Sequence, residues 1–244
     1  MTLISHKYKF IFIRPMKVAS TSVEYFFRKY CMNIEDQKKY KNNMEMDNEI
    51  INKYGIVSMQ GCWNEFKKKN MRWSQHLGSE IIRKYLIEMN LEDCWDNYFK
   101  FTIVRNPWDM IISRYFQSNN KNEDIEITKK NLLNFIKINE LPPQTAGTVE
   151  KIITLNISEN LWIITIDKKL ICDFHIRYEN LKEDIEKVCN KIGITNYNLL
   201  DLKNFRSNTR KQNNKNYRKY YTEETKNLIS EIYKDYINYF SYEF

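Results

Sequence analysis

A chain of 244 residues, 42% hydrophobic and 14% aromatic, carries enough apolar material for a sizeable core, which excludes wholesale disorder and fits one large α/β domain or two small ones. Its formal net charge of +8 points to acidic ligands or surfaces without separating nucleotides, nucleic acid and anionic sugars. Five cysteines, Cys31, Cys62, Cys94, Cys172 and Cys189, are odd in number and never spaced as CxxC, which argues for reduced thiols and against a disulfide framework or a zinc site.

The apolar run from Tyr8 to Ile13 predicts the first strand, and its early start leaves no room for a signal peptide. A helix from about Thr21 to Tyr30 follows, with Val23, Phe26, Phe27 and Tyr30 on one side. Residues 33–70 read as a variable insertion, polar and weakly periodic in their first half. A second helix is expected from Ser79 to Met89, with Ser79 as its N-cap. Phe99 to Val104 is a continuously apolar strand of the kind buried on both faces of a parallel sheet. Pro107 suits the first turn of the next helix, whose apolar side is Ile111, Ile112, Tyr115 and Phe116.

Leu132 to Ile138 is predicted helical, and Leu141-Pro142-Pro143-Gln144 a turn or extended segment. Leu161–Ile166 and Leu170–Tyr178 read as two strands around Asp167-Lys168-Lys169, with a hairpin as one arrangement. Leu181, Ile185, Val188, Cys189 and Ile192 mark an amphipathic helix closed by Gly193. Leu202–Thr222 holds seven cations and no acidic residue, and a final helix passes through Leu228, Ile229, Ile232 and Tyr233. No apolar run reaches the roughly 18 residues needed to cross a bilayer, so a soluble cytoplasmic protein is expected. Without a linker or an internal repeat, one domain over 1–244 is favoured.

Two segments carry chemistry. Lys17-Val18-Ala19-Ser20-Thr21-Ser22 follows the first strand, and Val104-Arg105-Asn106-Pro107-Trp108-Asp109, continuing to Ser113, follows the strand from Phe99. Each reads as a strand delivering a cation and hydroxyls to a helix start, where unpaired N–H groups and the helix dipole favour an anion. Two such sites suggest a ligand with two phosphate-like groups. The five glycines all lie outside Arg14–Ser22, which disfavours an ordinary ATP or GTP hydrolase. Bland readings stay open: Lys17 as a surface cation beside a capped helix, Arg105 as the partner of Asp109, and the basic run as a solvated face.

The paired segments resemble the two signatures of carbohydrate sulfotransferases that use 3′-phosphoadenosine 5′-phosphosulfate (PAPS), especially the group related to heparan sulfate 2-O-sulfotransferase and bacterial sulfotransferases. Further similarity lies in Asp173–Leu181, Asn208–Tyr221 and Phe240–Phe244. The resemblance implies a P-loop nucleotide-kinase-like α/β fold of three layers with a central, mostly parallel sheet. It implies that Lys17 contacts the oxygen bridging phosphate and sulfate, and that Ser20, Thr21 and Ser22, with Ala19 in the same loop, hold the 5′-phosphate. Arg105 and Ser113 would hold the 3′-phosphate, and no metal is required. Arg210 and Lys211, with Arg206, would close over the nucleotide.

Departures are visible as well. Family members usually have Pro directly before the loop Lys, whereas Met16 intervenes here after Pro15, and Arg14 adds a second cation that either assists at the site or ends a strand. His76, in Trp73-Ser74-Gln75-His76-Leu77, is the candidate general base, against the reading of a structural histidine at a helix start. His175 is expected in the sheet and His6 in a solvated tail. The expected reaction is sulfuryl transfer from PAPS to a hydroxyl of a glycan or small molecule, without nucleic acid or membrane. Alternatives are a nucleic-acid-binding protein using Lys203–Lys219, an N-sulfotransferase, or a small-molecule kinase on the same fold.

Overall fold

A computed structural model describes residues 2–41, 46, 48–59, 72–119, 124–139, 159–203 and 216–244. In chain order its principal elements are β1 (Leu3–Ser5), β2 (Phe10–Phe12), α1 (Ser20–Arg28), α2 (Ile34–Tyr40), β3 (Ile50–Asn52), β4 (Gly55–Val57), α3 (Ser79–Glu88), α4 (Glu92–Asn97) and β5 (Phe99–Val104). There follow α5 (Pro107–Ser118), α6 (Ile125–Asn139), α7 (Glu159–Ile163), β6 (Thr165–Ile166), β7 (Lys169–Leu170), β8 (Phe174–Arg177), α8 (Leu181–Lys191), α9 (Glu223–Ile232) and α10 (Lys234–Phe240). The chain groups into two compact units, Met1–Val104 with Ile163–Phe205, and Arg105–Trp162 with Arg206–Phe244.

The first unit is α/β, with a central six-stranded sheet in the order β3-β4-β1-β2-β5-β8. β2, β5 and β8 pair in parallel, while β1 runs antiparallel to both β2 and β4, and β3 antiparallel to β4. Four strands, β2, β4, β5 and β8, therefore point one way, and the expected class of a mostly parallel sheet flanked by helices holds. β1 is absent from the sequence reading because three residues followed by His6-Lys7-Tyr8-Lys9 carry too little alternation to register. The first strand is shorter than expected, since residues 6–9 form a turn with Lys9 at φ 49. His6 accordingly stands in that turn and not in a solvated tail: it is half-buried, with Nδ1 3.1 Å from Tyr98 Oη.

Phe10 and Phe12 of β2, Phe101 of β5 and Phe27 of α1 form one aromatic cluster with ring centroids 5.0–5.8 Å apart. Such pairs contribute about 0.5–1.5 kcal/mol each beyond the area they bury, and here they seat α1 on the parallel strands. The end of β2 is pinned as well, because Ile13 N donates to Phe101 O at 2.9 Å and Thr102 Oγ1 donates to Ile13 O at 2.8 Å. The loop that follows starts from a rigid base. Gly55 opens β4 where an added Cβ would fall 2.0 Å from Ile4 O, so no larger residue fits that strand pairing.

Other expectations shift locally. Gly78 and not Ser79 stands at the N-cap of α3, and the Ser79 hydroxyl donates to Ile163 O at 2.6 Å. The strand expected over Leu161–Ile166 is a helix through Ile163 followed by the two residues of β6, because apolar periodicity in so short a run does not separate the two states. The strand expected over Leu170–Tyr178 divides between β7, which forms a hairpin with β6, and β8, which joins the main sheet. Asp167 and Lys168 make that hairpin turn with φ 49 and 61, the left-handed pair that suits right-twisted strands. α8 ends as expected, with Gly193 at φ 75 and Ile194 N returning to Cys189 O at 2.8 Å.

The second unit is helical. Its hydrophobic interior includes Met110, Ile111, Ile112, Tyr115 and Phe116 of α5, Leu132 and Ile136 of α6, and Tyr220, Ile229 and Tyr236. The helix expected through Leu228, Ile229, Ile232 and Tyr233 is α9, followed by a further helix, α10; α9 begins at a capping box in which Thr222 and Thr225 bond reciprocally.

Candidate active site

The loop after β2 achieves its curl without glycine. Lys17 and Ala19 both adopt left-handed backbone, at φ 60 and 64. For a residue with a Cβ that conformation costs roughly 1–2 kcal/mol, and such strain gathers at functional sites. Ala19 is the N-cap of α1 and offers no side-chain acceptor, and the first turn of α1 contains no acidic residue. Every other helix of seven or more residues described here has an acidic residue in its first turn. The positive pole of α1 is thus left for an anion from outside the helix.

Arg14 organises the loop from beneath. It is 4% exposed, and its Nε donates to Ser20 Oγ at 3.1 Å while Nη2 donates to Thr21 Oγ1 at 2.8 Å. Ser20 Oγ in turn donates to Pro15 O at 2.8 Å. The hydroxyl hydrogen of Ser20 is therefore spent inside the loop, whereas Thr21 Oγ1 accepts from Arg14 and keeps its own hydrogen to give. Ser22 is buried, and its backbone N–H returns to Ala19 O at 3.1 Å. Lys17 is half-buried in the same loop. One turn further along α1, Glu24 is wholly buried; burial raises its carboxyl above the ordinary range, against the pull of Arg14 and of Arg28, whose Nη1 lies 3.8 Å away.

His76 belongs to the same neighbourhood. Its segment is tied down by Met59 N donating to Trp73 O at 2.9 Å and Trp73 N donating to Glu49 Oε2 at 2.7 Å. His76 itself has φ 59, and its Nδ1 lies 3.1 Å from Arg14 O. A carbonyl only accepts, so Nδ1 carries the hydrogen and Nε2 holds the lone pair. Burial, followed by the positive charge of groups including Arg14 and Lys17, holds the imidazole well below its usual range, so it is neutral at pH 7. Arg14, Lys17, Ala19, Ser20, Thr21, Ser22 and His76 thus all lie in the first unit, and hydrogen bonds link Arg14 to Ser20, Thr21 and His76.

The second motif opens the second unit and differs from its sequence reading in one respect. The N–H groups of Trp108 and Asp109 are not left for an anion, because Asn106 Oδ1 accepts both, at 3.1 and 3.2 Å. Arg105 is 6% exposed, and its fork lies on Asp109, Nε at 2.8 Å and Nη2 at 2.6 Å from Oδ2. Ser113, half-buried, stands four residues beyond Asp109 on α5, hence on the same helix face. Arg105, Asp109 and Ser113 follow one another at four-residue spacing, and the Trp108 and Asp109 N–H groups are taken by Asn106. Arg210 and Lys211 lie outside the described residues, as do Arg206 and the segment 142–148. His175 is in β8, opposite Thr102 of β5.

The sequence reading missed Asn106 as a cap and Glu24 as a buried charge. A signal for the first was present, since Asn directly before Pro at the start of a helix is a common capping pattern. Nothing in sequence marks Glu24, although α1 is buried at Ser20, Ser22, Val23, Phe26, Phe27 and Arg28 as well.

A protein of Archaeoglobus fulgidus described as uncharacterized is 32% identical over 100 residues, which is 41% of this chain and 72% of that protein. No solved structure matches. The model of the Sulfotransferase family matches residues 1–243. With that match running over essentially the whole sequence, the chain belongs to the sulfotransferase family and is a sulfuryl transferase.

Proposed function

We propose that the protein transfers the sulfuryl group of PAPS to a hydroxyl of a glycan or small-molecule acceptor. The observation that carries this reading is the hydrogen bond between His76 Nδ1 and the carbonyl of Arg14, at the root of the Lys17 loop. It leaves Nε2 as an unprotonated base at neutral pH beside a cationic loop. In the step, Nε2 of His76 takes the acceptor's proton as the new O–S bond forms. The bond from sulfur to the 5′-phosphate oxygen breaks, and the electron pair departs on that phosphate. Lys17 neutralises the developing charge, as fixed cations do in phosphoryl transfer.

The roles of the other residues follow from their bonds. Backbone N–H groups at the head of α1 and the Thr21 hydroxyl hold the 5′-phosphate; Ser20 and Arg14 keep the loop in shape, which refines the direct contact expected of Ser20. Arg105 takes the 3′-phosphate through its planar guanidinium, which Asp109 holds in place, and Ser113 adds a hydroxyl from the next turn. We assign Arg210 and Lys211 to closure over the nucleotide on the family resemblance alone. All of these groups act without a metal in this scheme.

Transfer of labelled sulfate from PAPS to a panel of hydroxyl and amine acceptors tests the proposal. Lys17→Ala and His76→Ala are each expected to lower kcat by about 100-fold or more, the scale of one electrostatic or acid–base contribution. Normal turnover in Lys17→Ala would remove the loop from the mechanism, and sulfation of amines alone would replace the hydroxyl acceptor.

A further inference from the structure

Arg105 sits where a strand hands over to a helix, and its backbone groups are satisfied by one distant side chain. The N–H of Arg105 donates to Tyr236 Oη at 3.1 Å, and the same hydroxyl donates to the carbonyl of Arg105 at 3.3 Å. Tyr236 is 1% exposed on α10, stacked against Tyr242 with centroids 6.1 Å apart and edge-on to Phe240 at 4.8 Å. Packing alone would be served equally by phenylalanine. The hydroxyl does something further, because it sets the orientation of both peptide planes that flank the Arg105 Cα, and so the direction in which the side chain leaves.

The rest of the turn is held in the same way. Asn106 caps α5 with its oxygen and donates from Nδ2 to Glu243 O at 2.8 Å, while Tyr221 Oη donates to Trp108 O at 2.8 Å. Asp109 meanwhile grips the far end of the Arg105 side chain. The guanidinium is thus fixed at root and tip, as preorganised recognition of a phosphate requires.

We propose that Tyr236 is a positioning residue for 3′-phosphate recognition, acting through the backbone of Arg105. The inference rests on the reading of Arg105 as the residue that holds that phosphate. In Tyr236→Phe both Arg105 backbone groups lose their bond to that hydroxyl while the aromatic stack is kept. Calorimetric titration should show affinity for adenosine 3′,5′-bisphosphate falling about tenfold, or about 1.4 kcal/mol. Affinity for AMP, which lacks the 3′-phosphate, should stay unchanged, KM for PAPS should rise with kcat little altered, and Tyr236→Phe should add nothing in an Arg105→Ala background.

Three results would overturn the proposal. One is an equal loss for both nucleotides, the mark of a purely structural role. Another is an intact 3′-phosphate preference in Tyr236→Phe when Arg105→Ala abolishes it. The third, an intact preference in Arg105→Ala, removes the underlying assignment of Arg105 and the proposal with it. Should Tyr236→Phe not fold, 4-aminophenylalanine at this position keeps a donor for the Arg105 carbonyl but accepts poorly from its N–H. It is expected to lose about threefold in preference, and a wild-type preference there would again refute the role.

Discussion

Replacing Arg14 by methionine separates the loop's architecture from its chemistry. Arg14, 4% exposed, makes charge-assisted hydrogen bonds to Ser20 Oγ at 3.1 Å and to Thr21 Oγ1 at 2.8 Å. Bonds of that kind contribute about 1.5–3 kcal/mol each, and relief of the buried cation's desolvation offsets part of the sum. Arg14→Met should therefore cost about 3 kcal/mol, which for a chain of this size is a fall in Tm of about 6–12 °C. The charge also reaches His76. Burial is the first cause of its lowered pKa, and the Arg14 charge is a further one, so removing that charge moves the imidazole back up toward its ordinary value. The acid limb of kcat/KM against pH, which reports the free enzyme's base, should shift to higher pH in Arg14→Met. Differential scanning calorimetry and a sulfate-transfer pH profile measure the two effects. A Tm within 2 °C of wild type together with an unmoved acid limb would refute this account of Arg14.

Acid should destabilise the fold before its carboxylates titrate. All three histidines, His6, His76 and His175, have pKa values lowered by burial, so below about pH 6.5 the unfolded chain binds protons that the native one does not. Their stability contribution is present above that pH and is lost as pH falls through the native values, at up to about 1.4 kcal/mol per pH unit for each histidine. Glu24, raised by burial, works in the opposite direction and cancels at most one of the three. Urea unfolding between pH 7.5 and 5.5 should show a net loss that His76→Gln flattens; a level profile would contradict it. At Ala19, φ 64 favours glycine, so Ala19→Gly should stabilise the protein by about 0.5–1 kcal/mol once the greater freedom of the unfolded chain is counted. A loss of stability in thermal melts would show that the left-handed geometry carries no strain.

The features legible in sequence were those written in local runs. Phe99–Val104 has the continuous apolar character of a doubly buried strand, Val23, Phe26 and Phe27 recur at helical spacing, and Gly193 ends α8 in a left-handed conformation that costs glycine no steric strain. The paired motifs and their order were equally legible, and they sufficed to identify the family. Tertiary structure decided the rest. β1 owes its strand conformation to hydrogen bonds from β2 and β4, which no three-residue pattern encodes. Arg14 is a loop brace and not a strand-end surface cation because Ser20 and Thr21 fold back over it. The helix start after Arg105 is closed to anions because Asn106 bonds to it first, and Arg105 is oriented by a tyrosine 131 residues away in sequence. Local composition sets which backbone states are accessible. Which hydroxyl, carboxylate or carbonyl ends beside a given cation depends on contacts distant along the chain, and those exist only once the sheet and helices have closed.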